Sequence, residues 1–155
     1  MDHSVRPMPA AETTVVADML DAFNREFDTP TPGPEVIAQR LPELIAGGRL
    51  AVLLTGEPAA GVAVISFRPN LWYDGPVALL DELYVRPELR GRRYGHALLE
   101  AACQLSLDRG ADVLEINVDG EDVDARRFYE AHGFTNLEPG ATEPMYFYYR
   151  ELAAT

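Results

Sequence analysis

Between Arg86 and His96 the chain reads RPELRGRRYGH, four arginines against one glutamate, a local +3 in a protein whose formal charge is −12. Arginine forks at 90, 92 and 93 suit phosphate oxygens. Glycines at 91 and 95 let a ligand approach the main chain with no Cβ in the way. A helical pattern follows, and the first turn of a helix presents unpartnered N–H groups at the positive end of its dipole. Together these features suit a phosphate-bearing ligand; the plainer alternative is a set of solvated arginines, because one Gly-x-x-x-Gly spacing is weakly specific. Just upstream, Asp81 and Glu82 interrupt the apolar run VALLDELYV. Such carboxylates accept a proton from a bound group or simply stand as solvated charges at a sheet rim. Strand alternation would send them to opposite faces, so one of them, Glu82 by its reach, would meet a ligand.

Other chemistries are narrowed by what the chain contains. All 13 basic residues are arginine, which removes a Walker-type phosphate loop and lysine Schiff-base chemistry. Cys103 stands alone in a helical pattern, the setting of a small buried hydrophobe rather than a catalytic thiol. His3, His96 and His132 share no metal-ligand spacing, so no metal is expected. A net charge of −12 opposes nucleic-acid binding and is compatible with a cationic small molecule. No apolar run approaches the roughly 18 to 20 residues that span a bilayer, and the start lacks a signal-peptide core. The expectation is one cytoplasmic domain over 1–155.

The elements that must position these residues follow from periodicity. Apolar residues from Val15 to Phe27 recur at helical spacing, and Pro34 opens a second helix that Pro42 should kink or split and Gly47-Gly48 should stop. RLAVLLTGEPAAGVAVISF reads as a hairpin, VALLDELYV as a third strand, and the stretch from about Arg90 to Arg109 as a helix. ADVLEINV then predicts a strand, Asp122 to His132 a helix ended by Gly133, and MYFYYREL a last strand. That order implies an α/β (α+β) fold, a mixed sheet with helices packed on its faces.

Two motifs in this frame resemble the GNAT superfamily of acyl-CoA N-acyltransferases. Val85-Arg86-Pro87 precedes Arg90-Gly91-Arg92-Arg93-Tyr94-Gly95, similar to the family's Arg/Gln-x-x-Gly-x-Gly/Ala phosphate motif, with Arg93 where the middle glycine is usual. Downstream, Ala125, Phe128, Tyr129, Gly133 and Phe134 match the family's second motif, with Asp122 where many members carry Asn. The likeness covers about residues 79–134. It implies a mostly antiparallel sheet and acetyl-CoA as cosubstrate, its pyrophosphate on the N–H groups of Gly91 to His96. It further implies a pantetheine arm along Leu83, Tyr84 and Val85, cofactor contacts from Asp122, Ala125 and Phe128, and Tyr129 protonating the departing thiolate.

Without the resemblance, Tyr129 on an amphipathic helix would ordinarily be core packing. An amine near pKa 10 is only about one part in 1,000 neutral at pH 7, so Asp81, Glu82 or a water would serve as proton acceptor. Glu26, Asp28, Asp74, Asp81 and Glu82 would make the acceptor side negative and favour a small cationic amine. A homodimer is compatible with the resemblance. The competing reading is a non-catalytic acyl-CoA-binding domain, which Arg93 and Asp122 favour and Tyr129 and the acidic strand oppose.

Overall fold

The structure, a computed structural model, describes residues 1–153; the last two residues of the expected 1–155 domain lie outside the described residues. The chain divides into two compact units, Met1–Ile116 and the residues from Asn117 onward.

The first unit is built on a five-stranded sheet in the order β1-β2-β3-β4-β5: Val5–Pro7, Leu50–Thr55, Gly61–Arg68, Val77–Val85 and Leu114–Ile116. The first three pairings are antiparallel and β4–β5 is parallel. Alternation along β2 and β3 sends Val52, Leu54, Val62 and Val64 to one face, where they bury against Val16 and Met19 of α1 (Thr13–Glu26) and Leu41 of α2 (Pro34–Ala46). The opposite parity, Leu53, Ala63 and Ile65, is buried on the side of α3 (Tyr94–Asp108), whose Leu98, Leu99 and Ala102 are fully enclosed. Each buried Val, Leu, Ile or Met among them is worth about 1.5–3 kcal/mol, so the two faces together hold the sheet between helices. The mixed, mainly antiparallel sheet with helices on both faces is the architecture the sequence predicts.

Several details differ from expectation. α2 runs unbroken through Pro42, because Ile37, Leu41 and Ile45 pack on the core before and after it. β1 carries no sequence signal: it is three residues long and includes a proline, as an edge strand tolerates. β5 is shorter than ADVLEINV, and α3 starts at Tyr94 because Arg90 to Arg93 form the turn that leads into it. Gly75 in the loop before β4 lies against Gly110 so closely that a Cβ would overlap the Gly110 carbonyl.

The second unit contains α4 (Val123–Ala131). Asp122 caps it, its Oδ1 accepting from the Ala125 N–H at 3.0 Å. Gly133, at φ +86°, ends it while Phe134 N–H returns to the Tyr129 carbonyl at 3.1 Å. The Tyr129 ring meets Phe128 and Phe134 edge-on at 5.2 and 5.7 Å. The MYFYYREL segment forms no ladder among the described residues, and Tyr146 to Tyr149 are largely exposed. Alternation marks the two faces of a strand, but only a partner backbone makes one. Among the described residues no helix is long and apolar enough to cross a membrane.

Candidate active site

β4 changes character at Asp81. Ala78 to Leu80 run between β3 and β5, whereas the β5 pairing stops at Leu80–Ile116, and among the described residues Glu82 to Val85 pair with β3 alone. The β3 register jumps at the same point: Val64 faces Glu82 and Ile65 faces Leu80, so Asp81 is the extra residue of a β-bulge. A bulge cancels one step of alternation. Glu82 lies on the face of Val64, and Asp81 turns to the same face, where the Ser66 hydroxyl bonds its carboxylate. The expectation that these neighbours point to opposite faces is therefore corrected: the bulge brings the two carboxylates together.

Their titration reflects that placement. Burial, then the charge of Asp81, pushes the Glu82 carboxyl up to about 7. Burial also raises Asp81, with Ser66 opposing it. Leu83 and Val85 are half-buried, while Tyr84 is buried with its ring stacked on Phe23 at 5.0 Å.

The loop after β4 is held from several directions. Arg86 donates through Nε to the Ala59 carbonyl at 2.9 Å, and a short 3-10 turn follows at Pro87–Leu89. Arg90 turns back: Nε donates to the Val85 carbonyl at 2.9 Å, and the two terminal nitrogens donate to the Glu26 carboxylate, each at 2.8 Å. Gly91 (φ +75°) and Arg93 (φ +69°) both adopt left-handed backbone. Arg93 occupies the conformation that the usual middle glycine would enter freely, at a cost of about 1–2 kcal/mol. Its carbonyl then accepts the first α3 bond, from Ala97 at 3.1 Å. Among the described residues the N–H groups of Gly91, Arg92, Arg93, Tyr94 and Gly95 donate to no backbone carbonyl, and Gly91 has open space where a Cβ would stand. The Arg92 and Arg93 side chains are exposed, Tyr94 is buried, and Gly95 and His96 are half-buried. His3 Nε2 bonds the Arg92 carbonyl at 2.6 Å and its ring meets Tyr94 at 4.9 Å, bracing the loop from 89 positions away.

The other acids are not gathered in the same way. Glu26 is engaged by Arg90, and Asp74 lies in the loop before β4, at the far end of the strand from Arg86. In the second unit Asp122 and the Ala125 N–H are committed to each other as a helix cap, while Phe128 and Tyr129 are half-buried. Glu26, Ser66 and His3 act here without any local signal in sequence; each works through a partner remote in the chain.

A sheet strand that loses one neighbour, bears carboxylates at the break, and leads through left-handed loop residues to a helix start with open N–H groups has the chemistry to accept a phosphate-bearing ligand along a strand and helix terminus. The profile of the acetyltransferase (GNAT) family matches residues 16–134, a stretch that includes all of β4, the loop and α4. The chain belongs to that family, whose members use acetyl-CoA as acetyl donor. A provisionally named acetyltransferase of Arthrobacter sp. superimposes with a TM-score of 0.90 at 62% identity, covering 96% of each chain. The mycothiol acetyltransferase of Beutenbergia cavernae is 39% identical over 69 residues, 43% of this chain and 23% of that protein. An uncharacterized N-acetyltransferase of Archaeoglobus fulgidus is 30% identical over 95 residues, 61% of this chain and 65% of that protein. The matches thus span 23% and 65% of the length of these two curated relatives.

Proposed function

We propose that the protein moves the acetyl group of acetyl-CoA to the primary amine of a small cationic acceptor by direct attack. The observation that carries this reading is the bulge on β4, which sets Glu82, with its carboxyl near 7, beside Asp81 on an open strand. A carboxyl with that affinity accepts a proton from an ammonium near neutral pH more readily than an ordinary glutamate, directly or through water. The neighbouring negative charge of Asp81 favours a cation.

Acetyl-CoA fits the remaining features. The N–H groups from Gly91 to Gly95, with His96 next in line, suit its pyrophosphate. The free edge of β4 at Leu83, Tyr84 and Val85 suits the amides of the pantetheine arm, and an N–H there would polarise the thioester carbonyl. Arg92 and Arg93 add exposed positive charge. Tyr129 is the proton donor to the leaving thiolate in this reading, with Ala125 and Phe128 flanking the cofactor. Asp122 contributes by holding the start of α4.

The test is thiol release from acetyl-CoA with a panel of polyamines, aminoglycosides and peptide amino termini. Release with at least one amine, reduced at least tenfold in Tyr129→Phe, is the expected result. Coenzyme A binding without release on any amine would favour the non-catalytic acyl-CoA-binding reading instead.

A further inference from the structure

Arg90 opens the phosphate motif, yet its guanidinium is occupied on three sides. Its two terminal nitrogens grip Glu26 at 2.8 Å each, Nε holds the Val85 carbonyl at 2.9 Å, and the planar group lies 5.6 Å over the Tyr84 ring. Glu26 is the last residue of α1. The chain beyond it is tied back on that helix: Thr29 N–H donates to the Asn24 carbonyl at 2.8 Å, Asn24 Nδ2 to the Pro30 carbonyl at 3.0 Å, and Thr31 Oγ1 to Asp21 at 2.7 Å. One rigid path therefore runs from the α1–α2 loop through Glu26 and Arg90 to the end of β4 and the turn before α3. The Phe23–Tyr84 stack runs parallel to it.

We infer that Arg90 is a positioning residue, and not a phosphate ligand: its clasp on Glu26 fixes the α1–α2 loop against the cofactor loop and so sets the acceptor side relative to the donor side. This rests on the acetyltransfer reading and deepens it. The bidentate fork gives the clasp a defined angle, which a single-point contact would lack. It also engages Glu26, one of the acids named for the acceptor side, while Asp81 and Glu82 stay on β4 outside the clasp.

The two roles predict opposite signs. If Arg90 served phosphate, Glu26→Gln would release it and tighten coenzyme A binding. As a clasp, Glu26→Gln and Arg90→Met each weaken coenzyme A about three- to tenfold by calorimetry on the full chain, and the double variant is no worse than either single. Arg90→Lys, which keeps the charge and loses the fork, weakens binding as Arg90→Met does. With a turned-over amine, both single variants raise the acceptor KM severalfold and leave kcat within about twofold. Tighter binding in Glu26→Gln, or additive losses in the double variant, overturns the inference. Amide hydrogen exchange over residues 27–33 needs no ligand and keeps the two proposals separate. Equal loosening in both single variants supports the clasp even if the wild type binds no coenzyme A, which would refute only the functional reading; unchanged exchange overturns the clasp.

Discussion

From Ala78 to Leu80, β4 pairs with a neighbour on each side; from Glu82 to Val85, among the described residues, it pairs with β3 alone. In the first half Val77, Ala78 and Leu80 are buried, and the residue types are those of an interior strand. In the second half the missing neighbour leaves backbone groups that a ligand can complete, and the bulge sets two carboxylates on one face. The contrast shows how one strand divides its work: pairing on both sides secures the sheet, and pairing on one side creates a place to bind. The loop beyond extends the open half, with left-handed backbone at Gly91 and Arg93 and N–H groups that, among the described residues, have no backbone acceptor.

The sharpest way to break the contrast is Glu82→Gln. In the open half it should lower kcat/KM about 10²- to 10⁴-fold and abolish the rise of rate with pH centred near 7. Thiol-release profiles from pH 5.5 to 9 measure both. Stability should move the other way. Because the folded-state value exceeds the ordinary 4.5, the stabilising contribution of protonated Glu82 is full below that value and lost as pH rises through about 7. The glutamine variant should lack that decline in urea titrations at pH 5 and 8.

In the paired half, Leu80→Ala should remove about 2–5 kcal/mol of stability by urea unfolding, with Leu83→Ala in the half-buried stretch costing less than half as much. Equal losses would contradict the division of β4. A smaller effect is expected of Arg93→Gly. Relief of left-handed backbone, about 1–2 kcal/mol, is partly offset by the added freedom of glycine in the unfolded chain, about 0.4–1 kcal/mol. A net gain of about 0.5 kcal/mol, or a rise of about 1–3 °C in Tm, should follow in a thermal melt.

Sequence spacing made the turn, the body of α3 and the Asp122 to His132 helix legible, because those features depend on near neighbours: glycines at fixed steps, a capping side chain, an apolar stripe. The bulge was not legible. VALLDELYV is an apolar run interrupted by two acids, with no mark of an extra residue, and only the register with β3 reveals the skipped one. Arg90 and Glu26 are 64 positions apart, and His3 and Arg92 are 89 apart, so no local pattern could pair them. Arg93 was visible as a departure from the motif but not as a solution to it, since the sign of φ belongs to the folded loop. The aromatic tail shows the converse failure: its residue types fit a strand, yet strand formation depends on a partner that sequence periodicity does not supply.

The bulge can also be counted in codons. Val64–Glu82 and Ile65–Leu80 would be consecutive rungs of a regular ladder if Asp81 were absent. The acidic pair therefore owes its geometry to a single triplet of coding sequence, and an in-frame loss of that triplet would leave the hairpin able to close while deleting the pair. A change in length by one, rather than any exchange of side chain, is the shortest genetic path between a plain sheet here and one that carries a site.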